Sequence, residues 1–214
     1  MKKNNEYIDF IFEEILEKEQ LDDLTNSLTS LSIKTVYVMR EIKQKSDFAL
    51  EYVLPPSTKS LIFKKAYLFY DVSLLQFLKI KKEDSEKAII IVLGGDVKKN
   101  SLILEKERGI DILLSPISEK LSFDTSSCNL AKENKIKIGF NLNLFREKPY
   151  SSIKQSRFII SLLIKNKIDM RFLSCSRRIN DLIDPLIIES LILNFELEKE
   201  GTKRMLMNGK GLNL

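Results

Sequence analysis

The chain has 214 residues, is 43% hydrophobic and 30% charged, and carries a formal net charge of +5; that is enough apolar material for one substantial core, so a single domain over residues 1–214 is expected. It contains no histidine, which excludes a Ser-His-Asp triad, a His-activated cysteine, a His-ligated zinc and a histidine general base. No apolar run approaches the roughly 18–20 residues needed to span a bilayer, and acids stand where a signal peptide keeps an uncharged core, so an intracellular protein with no membrane partner is expected.

In chain order, Tyr7 to Phe12 (YIDFIF) predicts a first strand and Glu13 to Leu31 an acidic amphipathic helix, punctuated near Asp22 to Asn26 and so either one helix or two short pieces. Thr35 to Met39 (TVYVM) predicts a second strand, and the adjacent prolines of Val53 to Ser57 (VLPPS) a loop. Ser60 to Tyr70 reads as one or two strands, or as a strand and the start of a helix. Val72 to Ile80 has helical spacing, and Lys79 to Lys87 is a mixed charge run with the character of a solvated helix end or loop.

Ile89 to Leu93 (IIIVL) is a continuous apolar run closed by Gly94-Gly95-Asp96, the pattern of a strand buried on both faces that opens into a β-to-α loop. The glycines are expected to let the backbone turn tightly at the strand end. They form neither a P-loop nor a G-x-G-x-x-G fingerprint. The spacing then predicts a helix from Lys99 to Arg108 stopped by Gly109, a strand over Asp111 to Ser115 ended by Pro116, a helix capped by Asp124 and closed near Asn134, and a strand over Ile136 to Leu142. Pro149 to Ser152 starts a long helix through Lys165, with Ile153, Phe158, Ile159, Leu162 and Leu163 as its expected apolar side. Met170 to Cys175 is the last strand, Asp184-Pro185 opens a helix from Leu186 to Leu197, and the polar tail from about Gly201 to Leu214 is expected to fray.

Strands followed by helices, about seven times over, call for parallel strands joined by right-handed crossovers. A doubly wound open sheet and a TIM-like β/α barrel both satisfy the count, and about 25 residues per unit favours the barrel. Asp96, Asp111, Asp124 and Asp181 all fall near strand or loop ends, where they either gather as a carboxylate metal site or cap helices and hold loops. Cys128 and Cys175 lack metal-ligand spacing and read as reduced, buried residues.

Charge is divided unevenly. Residues 1–97 hold 14 Lys and Arg against 16 Asp and Glu, whereas residues 98–214 hold 21 against 14. Between Arg146 and Arg178 nine basic residues face only Glu147 and Asp169. Arg146 and Lys148 follow one strand, Arg177 and Arg178 follow the next, and Lys154 and Arg157 lie in the first turn of the helix between them. In a barrel these positions share one rim, and a basic rim suits polyanion binding. Tyr150 is the aromatic best placed to stack on a base, while Phe158 is assigned to the core. Lys98, Lys99 and Asn100, at the end of the central strand, and Lys120, in the next connection, are further candidate contacts.

Five segments in register carry a resemblance: GGDVKKN (Gly94 to Asn100), GIDILLSP (Gly109 to Pro116), DTSSCNLAKEN (Asp124 to Asn134), IGFNLNL (Ile138 to Leu144) and SCSRRINDLIDP (Ser174 to Pro185). Over about Ala88 to Leu193 the chain resembles the TIM-barrel protein subunit of ribonuclease P, known as RNase P protein component 3 in archaea. The first 60 residues share only the β/α alternation. Ile183 and Asn143 stand where the family pattern has arginine, and Arg177 and Arg178 are read as replacing that charge.

The resemblance implies structural roles for Gly94, Gly95, Asp96, Asp111, Pro116, Asp124 and Asp181. It implies a barrel similar to the polymerase-and-histidinol-phosphatase phosphoesterases but without their histidine ligands. It further implies a non-catalytic subunit that binds RNase P RNA, pairs with the small RNase P protein component 2, and meets precursor tRNA indirectly. No cofactor is expected on the protein, magnesium is expected on the RNA, and the location is cytoplasmic for an archaeal source or nuclear, including nucleolar, for a eukaryotic one. The rival reading from the residues is a barrel enzyme acting on a phosphorylated small molecule through the same rim.

Overall fold

The computed structural model describes residues 7–49, 51–77, 88–105, 109–118, 122–147 and 149–194. Seven strands, β1 (Tyr7–Phe12), β2 (Ile33–Ile42), β3 (Ile62–Phe69), β4 (Ile89–Leu93), β5 (Ile112–Leu114), β6 (Lys137–Asn141) and β7 (Met170–Leu173), pair in chain order, every pair parallel. Around them lie α1 (Glu14–Lys18), α2 (Leu21–Ser30), α3 (Val97–Glu105), α4 (Thr125–Glu133), α5 (Leu142–Glu147), α6 (Pro149–Lys165) and α7 (Pro185–Asn194). The β/α barrel expected from the sequence is the observed architecture. No described helix is long and apolar enough to cross a membrane.

β4 shows why its five residues do not alternate in polarity. Ile89 and Ile91 face the barrel interior with Phe10, Tyr37, Met39 and Leu114, while Ile90 and Val92 face the outer layer with Ile103 and Leu104 of α3. A strand covered on both sides needs apolar side chains on both. Inside, Phe10 and Tyr37 stack with ring centroids 4.8 Å apart. Gly139 of β6 also faces inward, where an added Cβ would stand 2.8 Å from Ile112 Cγ2 and 3.1 Å from Leu114 Cδ1.

Closure of the barrel depends on Asp9. β7 is short, and the chain just after it meets β1 through one parallel bridge, Ile11 to Ser176, with the Phe12 amide donating to the Ser176 carbonyl at 2.8 Å. The gap below is bridged by the buried Asp9 carboxylate. Its Oδ1 accepts from the backbone amides of Ser174 (2.9 Å) and Phe10 (2.8 Å), and its Oδ2 from the Ser174 hydroxyl (2.5 Å), to which the Ser176 hydroxyl donates at 2.8 Å. Burial pushes the Asp9 carboxyl up to about 6 against these hydrogen bonds, which favour the anion.

Several elements differ from the sequence reading. The acidic helix is two helices that part at Glu19–Gln20 rather than near Asp22. β2 runs three residues past Met39, because Arg40 and Glu41 find partners described below. Residues 60–70 contain the single strand β3, and the helical spacing after Val72 yields a 3₁₀ turn over Val72–Phe77. Leu142 belongs to α5, a helix not expected from the pattern. In α6 the buried apolar residues are Ile159, Ile160 and Leu163, and Phe158, expected in the core, is 50% exposed. The Lys79–Lys87 run and the tail from Gly201 lie outside the described residues.

Where no helix covers β2 and β3, the proline loop does. Tyr52 packs edge-on to Tyr67 (5.4 Å) beneath the Arg40 guanidinium (4.3 Å), and Leu54 and Leu61 join the outer core. α4 and α6 end alike, with Lys135 and Lys167 at positive φ (56° and 57°) and the next amide returning to the carbonyl five residues back, Ile136 to Ala131 and Ile168 to Leu163.

Replacing Gly139 with Ala is expected to destabilise the protein by about 1–3 kcal/mol through overpacking, read as a lower urea midpoint; an unchanged midpoint would show that Ile112 and Leu114 yield freely. For Asp9, the native carboxyl holds a proton between pH 3.8 and about 6 that the unfolded chain has lost. Its stabilisation is therefore greatest below that window and falls as pH rises through it. Asp9→Asn removes this slope, so its stability relative to wild type should improve from pH 4 to pH 7; a difference that stays flat or reverses contradicts a protonated Asp9.

Candidate functional site

The C-terminal ends of parallel barrel strands form one mouth, and the sequence places different charges on its two halves. On the β1–β2 side, Glu13, Glu14, Glu17, Glu41, Asp47 and Glu51 line a cavity of about 520 Å³. On the β6–β7 side a second cavity, about 580 Å³, has Leu68, Leu93, Leu114 and Cys175 among its apolar walls and Asn141 and Arg146 among its polar ones. Phe12 and Arg177 belong to both. The mouth carries acids as well as the expected bases: the helix after β1 and the extension of β2 bring glutamates to one side, beside Arg40, Lys43 and Arg177, and Glu147 and Asp181 stand with Arg146 on the other.

Arg177 joins the halves. Its guanidinium lies 3.6 Å from the Phe12 ring centroid and donates to Glu14 Oε1 (2.6 Å) and Glu41 Oε1 (2.9 Å), while the side chain keeps 40% of its exposure. The hydrogen bond from Arg177 holds the Glu14 carboxyl below its ordinary value. Burial pushes Glu41 upward, but donors from Arg177, Tyr70 and Lys43 outweigh it and leave this carboxyl lowered as well. Arg177 loses by burial and gains more from the two carboxylates, so its affinity for the proton rises. Tyr70 is pushed up to about 12 by burial and by its hydrogen bond to Glu41. Beside this set, Arg40 pairs with Glu13 and donates to the Glu51 carbonyl at 2.6 Å.

A second network ties the β6 and β7 loops together. Asn143, the residue at a family arginine position, donates to the carbonyls of Ser174 (2.7 Å) and Asp181 (3.3 Å) and accepts from Arg146 (3.1 Å). Arg146 also lies 3.5 Å from the Asp181 carboxylate. Ser115, directly after β5, and Cys175, two residues after β7, take positive φ (50° and 52°), a costly conformation for non-glycine residues.

The motif residues divide clearly. Asn100, expected as an RNA contact, is 0% exposed. Its amide accepts from the Gly95 nitrogen (2.9 Å) and donates to the Gly95 and Ser122 carbonyls (2.9 and 2.7 Å), so it holds the loop and is withdrawn from the contact set. Gly94 is needed for close approach rather than for a turn, since a Cβ would meet Asn100 Oδ1 and Pro116 Cα, each at 2.8 Å. Asp96 and Asp124 accept from the amides three residues on, Lys99 (2.9 Å) and Ser127 (2.7 Å), as helix caps. Asp111 Oδ2 accepts from the Ile90 amide at 2.8 Å. The four aspartates do not gather, and the described residues hold no group of three or more metal-ligating side chains.

Among the basic candidates, Lys154 and Arg157 are exposed on α6, in its second and third turns because the helix starts at Pro149. Positions 150, 154, 157, 158, 161 and 165 recur at helical spacing and form one outward face. It carries Tyr150 (82% exposed), Lys154, Arg157, Phe158, Ser161 and Lys165, and α6 has no acid in its 17 residues. Arg178 is exposed just after β7, and Lys98 is exposed on α3 with Lys99 beside it, half-buried over Gly95. Since α4 lies between α3 and α6, those lysines do not extend the α6 face. Lys120 and Lys148 lie outside the described residues. Sequence reasoning missed Glu14 and Glu41 as mouth residues, and the one available signal was their place at the ends of the first two strands.

No family model matches the chain, and no curated protein matches it in sequence. Among solved structures it is similar to a chain of archaeal ribonuclease P determined by cryo-EM with mature tRNA, at 16% identity and a TM-score of 0.70, covering 92% of this chain and 86% of that one. It is also similar to a histidinol phosphate phosphatase from Lactococcus lactis subsp. lactis complexed with zinc, L-histidinol and phosphate, at 9% identity and a TM-score of 0.58, covering 90% and 95%. An uncharacterised protein matches at 8% identity and a TM-score of 0.53, covering 90% and 70%. At these identities the likeness is one of fold.

Arg177→Met leaves Glu14 and Glu41 facing each other's charge. A loss of about 1–2 kcal/mol is expected at pH 7, less than for a fully buried pair because the site is open to water. Both carboxyls are lowered in the native state, so the stabilisation is present above their ordinary values and fades as pH falls through the native ones. Urea unfolding at pH 7 and pH 3 should show a deficit that shrinks at the lower pH; an equal deficit at both would assign the loss to packing on Phe12.

Proposed function

We propose that this chain is a protein subunit of ribonuclease P that supplies no catalytic groups of its own, binds the RNase P RNA through a basic surface, and assists removal of the 5′ leader from precursor tRNA. The outward face of α6 carries the reading. A 17-residue helix without acids presents Lys154, Arg157 and Lys165 with Tyr150 and Phe158 interleaved, which combines cations for phosphates with rings for unstacked bases. The face extends about 22 Å from Tyr150 to Lys165. The fold likeness to a chain of archaeal ribonuclease P supports the same reading, as do the five sequence segments in register.

The zinc of the phosphatase neighbour does not fit this chain. There is no histidine to ligate it, and Glu14 and Glu41 are held by Arg177. No reaction step is therefore assigned to the barrel mouth. In the proposed particle the RNA carries the magnesium and the hydrolysis, the protein pairs with the small component 2 subunit, and precursor tRNA is met through the RNA. The second reading, an enzyme acting on a phosphorylated small molecule, draws on the cavities at the mouth and the phosphatase likeness.

Lys154→Glu with Arg157→Glu tests the proposal. The double variant, with an unchanged circular dichroism spectrum, is expected to bind RNase P RNA at least about tenfold more weakly and to lower the slope of log affinity against log salt by roughly 1.5–2. Unchanged RNA affinity together with turnover of small phosphate esters would establish the second reading instead.

A further inference from the structure

We infer that the cavity on the β6–β7 side of the mouth receives one unstacked base of the bound RNA strand, an inference that rests on the RNA-binding role proposed above. The cavity, about 580 Å³, is of the size that encloses small ligands. Its walls include the apolar side chains of Leu68, Leu93, Leu114 and Cys175, which favour a planar, weakly hydrated group over a phosphate.

Arg177 supplies the flat surface. Its donors are engaged with Glu14 and Glu41 and one face of its guanidinium rests on Phe12, so it is fixed in place and its charge is neutralised. Such an arginine is poorly suited to gripping phosphate and well suited to stacking on a base, a recurring mode in recognition of single-stranded RNA. Asn141 adds a polar edge. Its Oδ1 accepts from the Asn143 amide at 3.0 Å, and its Nδ2 donates to no described residue.

Continuity with the α6 face selects the occupant. α5 contributes Leu144, Arg146 and Glu147 to the cavity, and α6 begins at Pro149, with Tyr150 as its second residue. A strand whose phosphates follow Lys154 and Arg157 toward the start of α6 arrives at the mouth beside Arg146. There the cavity takes a base and the arginine remains at the rim.

The test compares an oligouridylate of about ten nucleotides with an abasic strand of the same length, on wild type and on Leu93→Trp, which fills the cavity and leaves α6 untouched. Leu93→Trp is expected to bind the uridine strand about tenfold more weakly and the abasic strand as wild type does. Photo-crosslinking of wild type with 4-thiouridine strands, which needs no variant to fold, should label peptides containing Phe12, Tyr70 or Leu93. If Leu93→Trp binds both strands as wild type and crosslinks fall on α6 alone, the base pocket is overturned while the RNA-binding role stands. If neither strand binds in a salt-dependent way, both are overturned.

Discussion

Closing a seven-stranded parallel sheet requires the first and last strands to meet, and here the Asp9 carboxylate makes the junction. β7 does not pair along β1; the chain after it meets β1 in one bridge at Ile11 and Ser176, and Asp9 spans the remaining gap with two hydrogen bonds to Ser174 while also accepting from the Phe10 amide of its own strand. A buried acid is costly unless it is partnered or protonated. The upward shift to about 6 shows how the balance falls: the hydrogen bonds resist neutralisation, and burial outweighs them.

From that junction the mouth follows. Ser174 and Ser176, fixed by Asp9 and by each other, set the path of the chain into Cys175 and Arg177. Arg177 is thereby delivered over Phe12, the last residue of β1, between glutamates from α1 and β2. The same seam that closes the barrel also neutralises its mouth. Outside, on α6, Lys154, Arg157 and Lys165 are exposed at the surface. This division suits a protein that would hold a folded polyanion against its flank and, on the proposed reading, leave bond cleavage to the RNA.

The barrel was legible in the chain because its signals are local. Uninterrupted apolar runs such as Ile89–Leu93 identify doubly covered strands, and Asp124 and Pro185 mark helix starts by short-range chemistry. The lysine and arginine excess between Arg146 and Arg178 is a matter of counting. What those cations do is not. Arg177 and Lys154 look alike in the sequence, but one is enclosed by Glu14 and Glu41 and the other stands exposed on α6. Asn100 and Phe158 were exchanged for the same reason: the asparagine is fully buried in the loop it holds, and the phenylalanine lies half in water.

The sequence by itself determined the alternation of elements, the histidine-free chemistry and the side of the chain on which positive charge accumulates, since each depends on residue identity and short-range spacing. Tertiary structure alone decided how the sheet closes, which arginine is neutralised and which helix face is presented outward. Those outcomes depend on residues more than a hundred positions apart, such as Asp9 with Ser174 and Glu14 with Arg177, and only the closed barrel brings them within hydrogen-bonding distance.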